Sequence, residues 1–148
     1  METIERIRLQ VLALGYIETA AADGLLGAFG VLVLETSEAE ELRRLGQDVN
    51  GMIMLVPCLG VTKLYREATK DKTAANFLGV GCGKLSEMLR TGQPSGPSEE
   101  AFIGEFGWLG GDILKWGDYL VYVFYSGAAE DVDLENARAG FLEFLPEE

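Results

Sequence analysis

Few side chains in this chain have the type and spacing that chemistry needs. There is no histidine. That removes the usual proton shuttle, the commonest ligand for zinc, copper and heme iron, and every Ser-His or Cys-His nucleophile scheme. The two cysteines, Cys58 and Cys82, have small or apolar neighbours (Pro57 and Leu59; Gly81 and Gly83) and read as buried structural thiols. Cys82 has a second reading. It lies two residues before Lys84 at a predicted helix start, where a lowered thiol pKa would make it a nucleophile. Gly79, Gly81, Gly83 and Lys84 invite comparison with a phosphate loop. Only three residues separate the outer glycines where four are needed, Leu85 stands where Ser or Thr should follow the lysine, and a helix rather than a strand precedes. The run reads instead as a glycine-rich helix break that lets backbones approach closely.

Asp131, Asp133 and Glu135 alternate like calcium ligands, but Asn136 occupies the position of the loop glycine and Leu142 that of the bidentate glutamate. Acidic residues in the first turn of a helix, where the macrodipole favours them, are the simpler account. Glu38, Glu40 and Glu41 read as a solvated helix face pairing locally with Arg43 and Arg44. Nothing in the sequence holds two carboxylates at a hydrolase distance.

Charge is uneven. The 148 residues carry 12 basic and 24 acidic side chains, a net charge of −12. Residues 63–90 reverse the sign, with 6 basic and 3 acidic side chains, whereas residues 91–148 have 2 and 12. The balance predicts no nucleic-acid partner and no membrane partner, since both present negative charge. The segment holding Lys70 and Lys72 is either a solvated basic helix face or the one place that welcomes an anion.

The elements that would position these groups follow from periodicity. Ile4, Ile7, Val11 and Leu14 form one face of a helix over residues 3–18, running into Ala20–Ala22 and stopping at Asp23-Gly24. Phe29–Leu34 is a buried strand. Ser37 and Glu40 fit a capping box opening a short helix that ends at Gly46. Asn50-Gly51 is a turn, and Met52–Val56 a second buried strand closed by Pro57. Leu64–Leu78 favours helix, the glycines break it, and Lys84–Arg90 forms another. Thr91–Ser98 is a surface connector. Ser98 caps a short helix through Phe102, Ile103 and Phe106. Gly110-Gly111 leads into a hairpin whose second strand is Tyr119–Tyr125. On that strand Tyr119, Val121, Val123 and Tyr125 share one face, and Leu120, Tyr122 and Phe124 the other; one face is core, the other core, pocket or subunit contact. A last helix spans about Glu130–Leu145, with Leu134, Ala137, Phe141 and Phe144 on one side. The pattern predicts a single α+β domain over residues 1–148, a single layer of largely antiparallel sheet with about four to five strands flanked by helices. A doubly wound parallel sheet is the alternative. No apolar run is long enough to span a bilayer. Acid in the opening METIERIRLQ, where a targeting segment would be basic, predicts a cytoplasmic protein with reduced thiols.

Two stretches resemble the GlcG-like, heme-binding protein family, a domain also appended to some cobalamin adenosyltransferases. The first runs from Ala68 through Lys70, Lys72, Thr73 and Ala74 to Phe77, and on to Lys84–Leu89 and Gly92-Gln93-Pro94. It is similar to that family's helix with a K-A-x-T-A core, the short helix after it, and a Gly-Gln/Pro turn. The second is Gly110-Gly111, the hairpin, Ser126-Gly127, then Asp131, Asp133, Ala137 and Gly140, similar to the family's G-G-x-P-I…D-G…V-G-A-I-G-V-S-G…D…A…G ending. Together they cover about residues 66–145. The resemblance implies an antiparallel sheet of about five strands, assembly into oligomers and, as in several members, heme. The chain departs from the family in its charged stretch between Leu34 and Met52 and its Tyr-Phe-rich final strand. The missing histidine excludes a His axial ligand and leaves Met, Cys or Tyr.

The leading expectation is a non-enzymatic, self-assembling α+β module with a small pocket. Lys70, Lys72 and Thr73 would form one side, and Tyr122, Ser126 and Gly127 the other. The basic segment and the Ser126-Gly127 helix start suit a small anionic or planar ligand. The rivals are an assembly subunit that uses the aromatic hairpin without a ligand, and an enzyme that uses Cys82.

Overall fold

A computed structural model of the chain describes residues 3–20, 26–45, 54–67, 74–127 and 130–142. Its centre is the Tyr-Phe-rich strand. β6 (Tyr119–Ser126) pairs with β5 (Gly111–Trp116) on one side and β1 (Ala28–Glu35) on the other. β2 (Cys58–Val61) completes the order β2-β1-β6-β5, every pairing antiparallel. The parallel alternative is thereby excluded, and the α+β architecture holds. Trp116 pairs with Tyr119 around a two-residue turn, where Gly117 takes φ 58°. Positive φ at the first turn residue matches the twist of a tight hairpin.

Strand alternation sends side chains to two helical layers. Phe29, Val31, Val33, Val121, Val123 and Tyr125 pack with Leu9, Ala13 and Ile17 of α1 (Thr3–Ala20) and Ala137 of α4 (Glu130–Leu142). Leu32, Leu34, Tyr122 and Phe124 pack with Ala39 of α2 (Thr36–Leu45) and with Leu85 and Met88 of α3 (Phe77–Thr91). Both faces of β6 are therefore core. Tyr122, Phe124 and Tyr125 are buried in these layers, whereas Tyr119 stays half-buried beside Trp116 at the hairpin turn.

The structure corrects several local expectations. In α1 the apolar Ile4, Ile7 and Val11 are exposed, Ile4 at 75%. The buried face is Leu9, Gln10, Ala13 and Ile17. Gln10 explains the rotation. Its Oε1 accepts from Val33 N at 2.8 Å and its Nε2 donates to Val56 O at 2.8 Å. β2 ends opposite Val31, so Gln10 satisfies a strand amide that β2 no longer reaches. The second strand lies at Cys58–Val61, not Met52–Val56; Met54, Leu55 and Val56 are exposed and non-strand, and residues 52 and 53 lie outside the described residues. The capping box shifts: α2 starts at Thr36, and Glu38 Oε1, not Glu40, reaches back to accept from Glu35 N at 3.1 Å. Glu38 also takes two bonds from Arg6, at 2.8 and 3.1 Å, in place of a local partner on α2.

Of the predicted Leu64–Leu78 helix only Phe77 and Leu78, the start of α3, are helical among the described residues. β3 (Tyr65–Arg66) pairs with β4 (Ala75–Asn76) instead. Asn76, in extended backbone, caps α3 by accepting from Gly79 N at 3.0 Å. The glycines lie inside one continuous helix rather than breaking two apart. A Cβ on Gly81 would stand 2.5 Å from the Phe124 ring, so its absence lets α3 lie close on the sheet. That packing offsets the roughly 1 kcal/mol per glycine that a helix loses. Residues 98–106 form turns, with Ser98 Oγ accepting from Glu100 N and Phe102, Ile103 and Phe106 exposed. The turn at Asn50-Gly51, and Asp23-Gly24 and Gly46, lie outside the described residues. Among the described residues no helix is long and apolar enough to cross a membrane.

Candidate functional site

Phe77, Val80 and Lys84 recur at spacings of three and four along α3, so one stripe of the helix carries all three. They line a cavity of about 220 Å³ at the end of β6. Ser126 and Gly127 form its strand side, Arg66 and Ala75 of the small β3–β4 sheet its lip, and Trp108 a wall. Trp108 is steadied by Phe106, stacked on it at 4.8 Å between ring centroids. Asp133, the fourth residue of α4, completes the lining.

Lys84 and Asp133 are the unusual members. Lys84 is 1% exposed and Asp133 3%. Lys84 Nζ donates to Asp133 Oδ2 at 3.1 Å and to the Tyr125 carbonyl at 2.7 Å. Buried charges of this kind persist only when paired and hydrogen-bonded. The pair ties α3, on one face of the sheet, to α4, on the other, around the end of β6. Gly110 makes room for it. Its φ is +123°, and a Cβ there would stand 2.5 Å from Lys84 Nζ and 2.8 Å from Tyr125 O. The Gly110 carbonyl accepts from Tyr125 N at 3.0 Å, which fixes that close approach.

With Lys84 balanced by Asp133, Arg66 supplies the surplus positive charge. It is exposed and makes no ion pair with any described residue. The cavity therefore combines an aromatic wall, two apolar side chains, a hydroxyl and a cationic lip. That suits a small ligand with a planar or apolar body and an anionic group. Among the described residues no Cys, Met or Tyr lines it to ligate a heme iron, and its volume is about 220 Å³.

Of the residues expected at a pocket, Ser126 and Gly127 line this cavity. Tyr122 lies in the core under α2 and α3, where burial pushes its phenol pKa up, Arg43 opposing. Lys70, Lys72 and Thr73 lie outside the described residues. Sequence reading missed Lys84, Asp133, Arg66 and Trp108 as a group. A lysine at a core-facing helical spacing was the available signal for the first. Cys82 lies on the exposed side of α3, and partial burial of the thiol raises its pKa rather than lowering it. Lys84 cannot serve it, being turned inward to Asp133. Asp133 likewise belongs to the ion pair and not to a calcium loop; no group of three or more acidic, Cys or His side chains is placed to hold a metal among the described residues. No known protein-family model, curated protein or solved structure matches this chain.

Proposed function

We propose that the protein is a non-enzymatic, self-assembling binding module that takes a small planar or apolar anion in the cavity at the end of β6, as its resemblance to GlcG-like proteins suggests in broader terms. The carrying observation is the cavity itself, with the buried Lys84–Asp133 pair as a rigid floor and Arg66, which pairs with no described residue, as a cation at the lip. The floor is preorganised, so binding does not have to order it. Arg66 selects for negative charge, and Trp108 provides a flat contact. Self-assembly is supported by the apolar residues left exposed along α1 and on the edge strand β2, namely Ile4, Val11, Leu59 and Val61. The Cys82 enzyme reading is less well supported, because Lys84 pairs with Asp133 instead of the thiol, and the aromatic-hairpin reading keeps only the half-buried Trp116 and Tyr119.

The test begins with native mass spectrometry of protein purified from its own host, which reads the oligomer and any retained small molecule together. Tryptophan fluorescence titrations then compare benzoate, benzamide and hemin. Benzoate should bind, benzamide more weakly, and Arg66→Ala should weaken benzoate about tenfold, the worth of one charged hydrogen bond. Equal binding of benzoate and benzamide, or an unchanged Arg66→Ala variant, would overturn the anion site. Stoichiometric hemin uptake that survives Trp108→Ala would place the ligand elsewhere. A monomer at high concentration would end the assembly part.

A further inference from the structure

A second cleft lies at the other end of α3. Its volume is about 460 Å³, and it is formed by the last turn of the helix and the 93–100 loop. Pro94 and Pro97 stiffen the loop side, Gln93 and Ser98 stand at the rim, and Glu100 faces in. Glu87 reaches it from the helix although the residue is only 4% exposed. One of its oxygens, Oε1, accepts a long 3.5 Å bond from Gly96 N. The other accepts no hydrogen bond from any described residue.

Arg90 also lines the cleft and compensates Glu87 only in part. Arg90 is turned to Glu105, which receives bonds from its Nε and, at 2.6 Å, its Nη2, and its guanidinium lies 4.0 Å over the Phe102 ring. Glu100 adds a second carboxylate to the lining. The helix delivers its negative end here, with Gly92 N capping Met88 O. Burial pushes the Glu87 carboxyl above its ordinary range; the Gly96 amide and Arg90 oppose that rise, and Glu105 adds to it. A cation beside Glu87 would relieve this cost.

We infer that this cleft binds a small organic cation bearing N–H donors, a primary ammonium group, through a hydrogen bond to the open oxygen of Glu87. The site is separate from the cavity at the end of β6 and has the opposite charge preference. A compact ammonium on a short alkyl stem fits between the two prolines, with its charge toward Glu87 and Glu100.

The test uses the full chain and n-butylammonium chloride, with tetramethylammonium as a cation of the same charge that has no N–H to donate. Binding is read by NMR shifts of the Gln93, Ser95, Gly96 and Ser98 amides. Butylammonium should shift them saturably. Glu87→Gln, which keeps the shape and the Gly96 contact, should weaken it about tenfold. Gln93→Trp, which fills the rim without touching Glu87, should do the same, and it carries the test if Glu87→Gln does not fold. Tetramethylammonium should bind clearly less well. No saturable shift in the wild type, an unchanged Glu87→Gln or Gln93→Trp affinity, or equal binding of the two cations would each overturn the site.

Discussion

Replacing Lys84 by Met keeps most of the side-chain volume and removes the charge. The Asp133 carboxylate, 3% exposed, then loses the ammonium 3.1 Å away, and the Tyr125 carbonyl loses its 2.7 Å donor. Breaking a buried pair by removing one partner costs about 3–5 kcal/mol, because the remaining charge stays buried. That is a large share of the ~5–15 kcal/mol that holds a domain folded. For a chain of this size it corresponds to a fall of roughly 10 °C in Tm. Urea unfolding at neutral pH, followed by far-UV circular dichroism, measures it. Lys84→Met combined with Asp133→Leu should cost less than the two single variants together, by at least about 1 kcal/mol, since the double variant removes both charges of the pair. The deficit of Lys84→Met should persist in 1 M salt, which screens exposed pairs but not buried ones. A Lys84→Met variant within about 1 kcal/mol of wild type, or strictly additive variants, would show that the pair is not the clamp its geometry describes.

Gln10→Leu should cost about 1–3 kcal/mol in the same assay, because the Val33 amide is left buried without an acceptor; a neutral effect would mean that another group replaces it. Gly81→Val should destabilise by about 1–3 kcal/mol through contact with the Phe124 ring, and Phe124→Leu should recover part of that loss; no recovery would place the strain elsewhere. For Glu38, burial pushes the pKa up, but the Arg6 guanidinium and the Glu35 amide outweigh it and hold the carboxyl below its ordinary value. A depressed carboxyl stabilises the fold above its unfolded-state pKa, and that contribution is lost as pH falls through the folded value. Arg6→Met should therefore cost about 1 kcal/mol near neutral pH and progressively less in acid. A deficit that does not change with pH would contradict the linkage.

The sequence carried the parts of the fold that local chemistry dictates. The β1 run, the Gly117 hairpin and the alternation along β6 were legible because a strand's period of two and a tight turn's glycine are short-range signals. The final helix and the antiparallel class followed from the same patterns. Ser126 and Gly127 were legible as a strand-to-helix corner, where a cavity forms. What failed depended on partners distant in the chain. The apolar face of α1 misled because Gln10 is drawn inward by a strand amide 23 residues away. The glycines of α3 read as breakers until Phe124 gave Gly81 a reason to lack a side chain. Tyr65-Arg66 and Ala75-Asn76 lie in a stretch of helix-favouring composition, yet pair as short strands, and Asn76 then caps α3 at Phe77. Lys84 and Asp133 lie 49 residues apart and on different layers of the sandwich. Periodicity can put a lysine on a buried face, but only tertiary packing supplies the carboxylate that makes its burial tolerable.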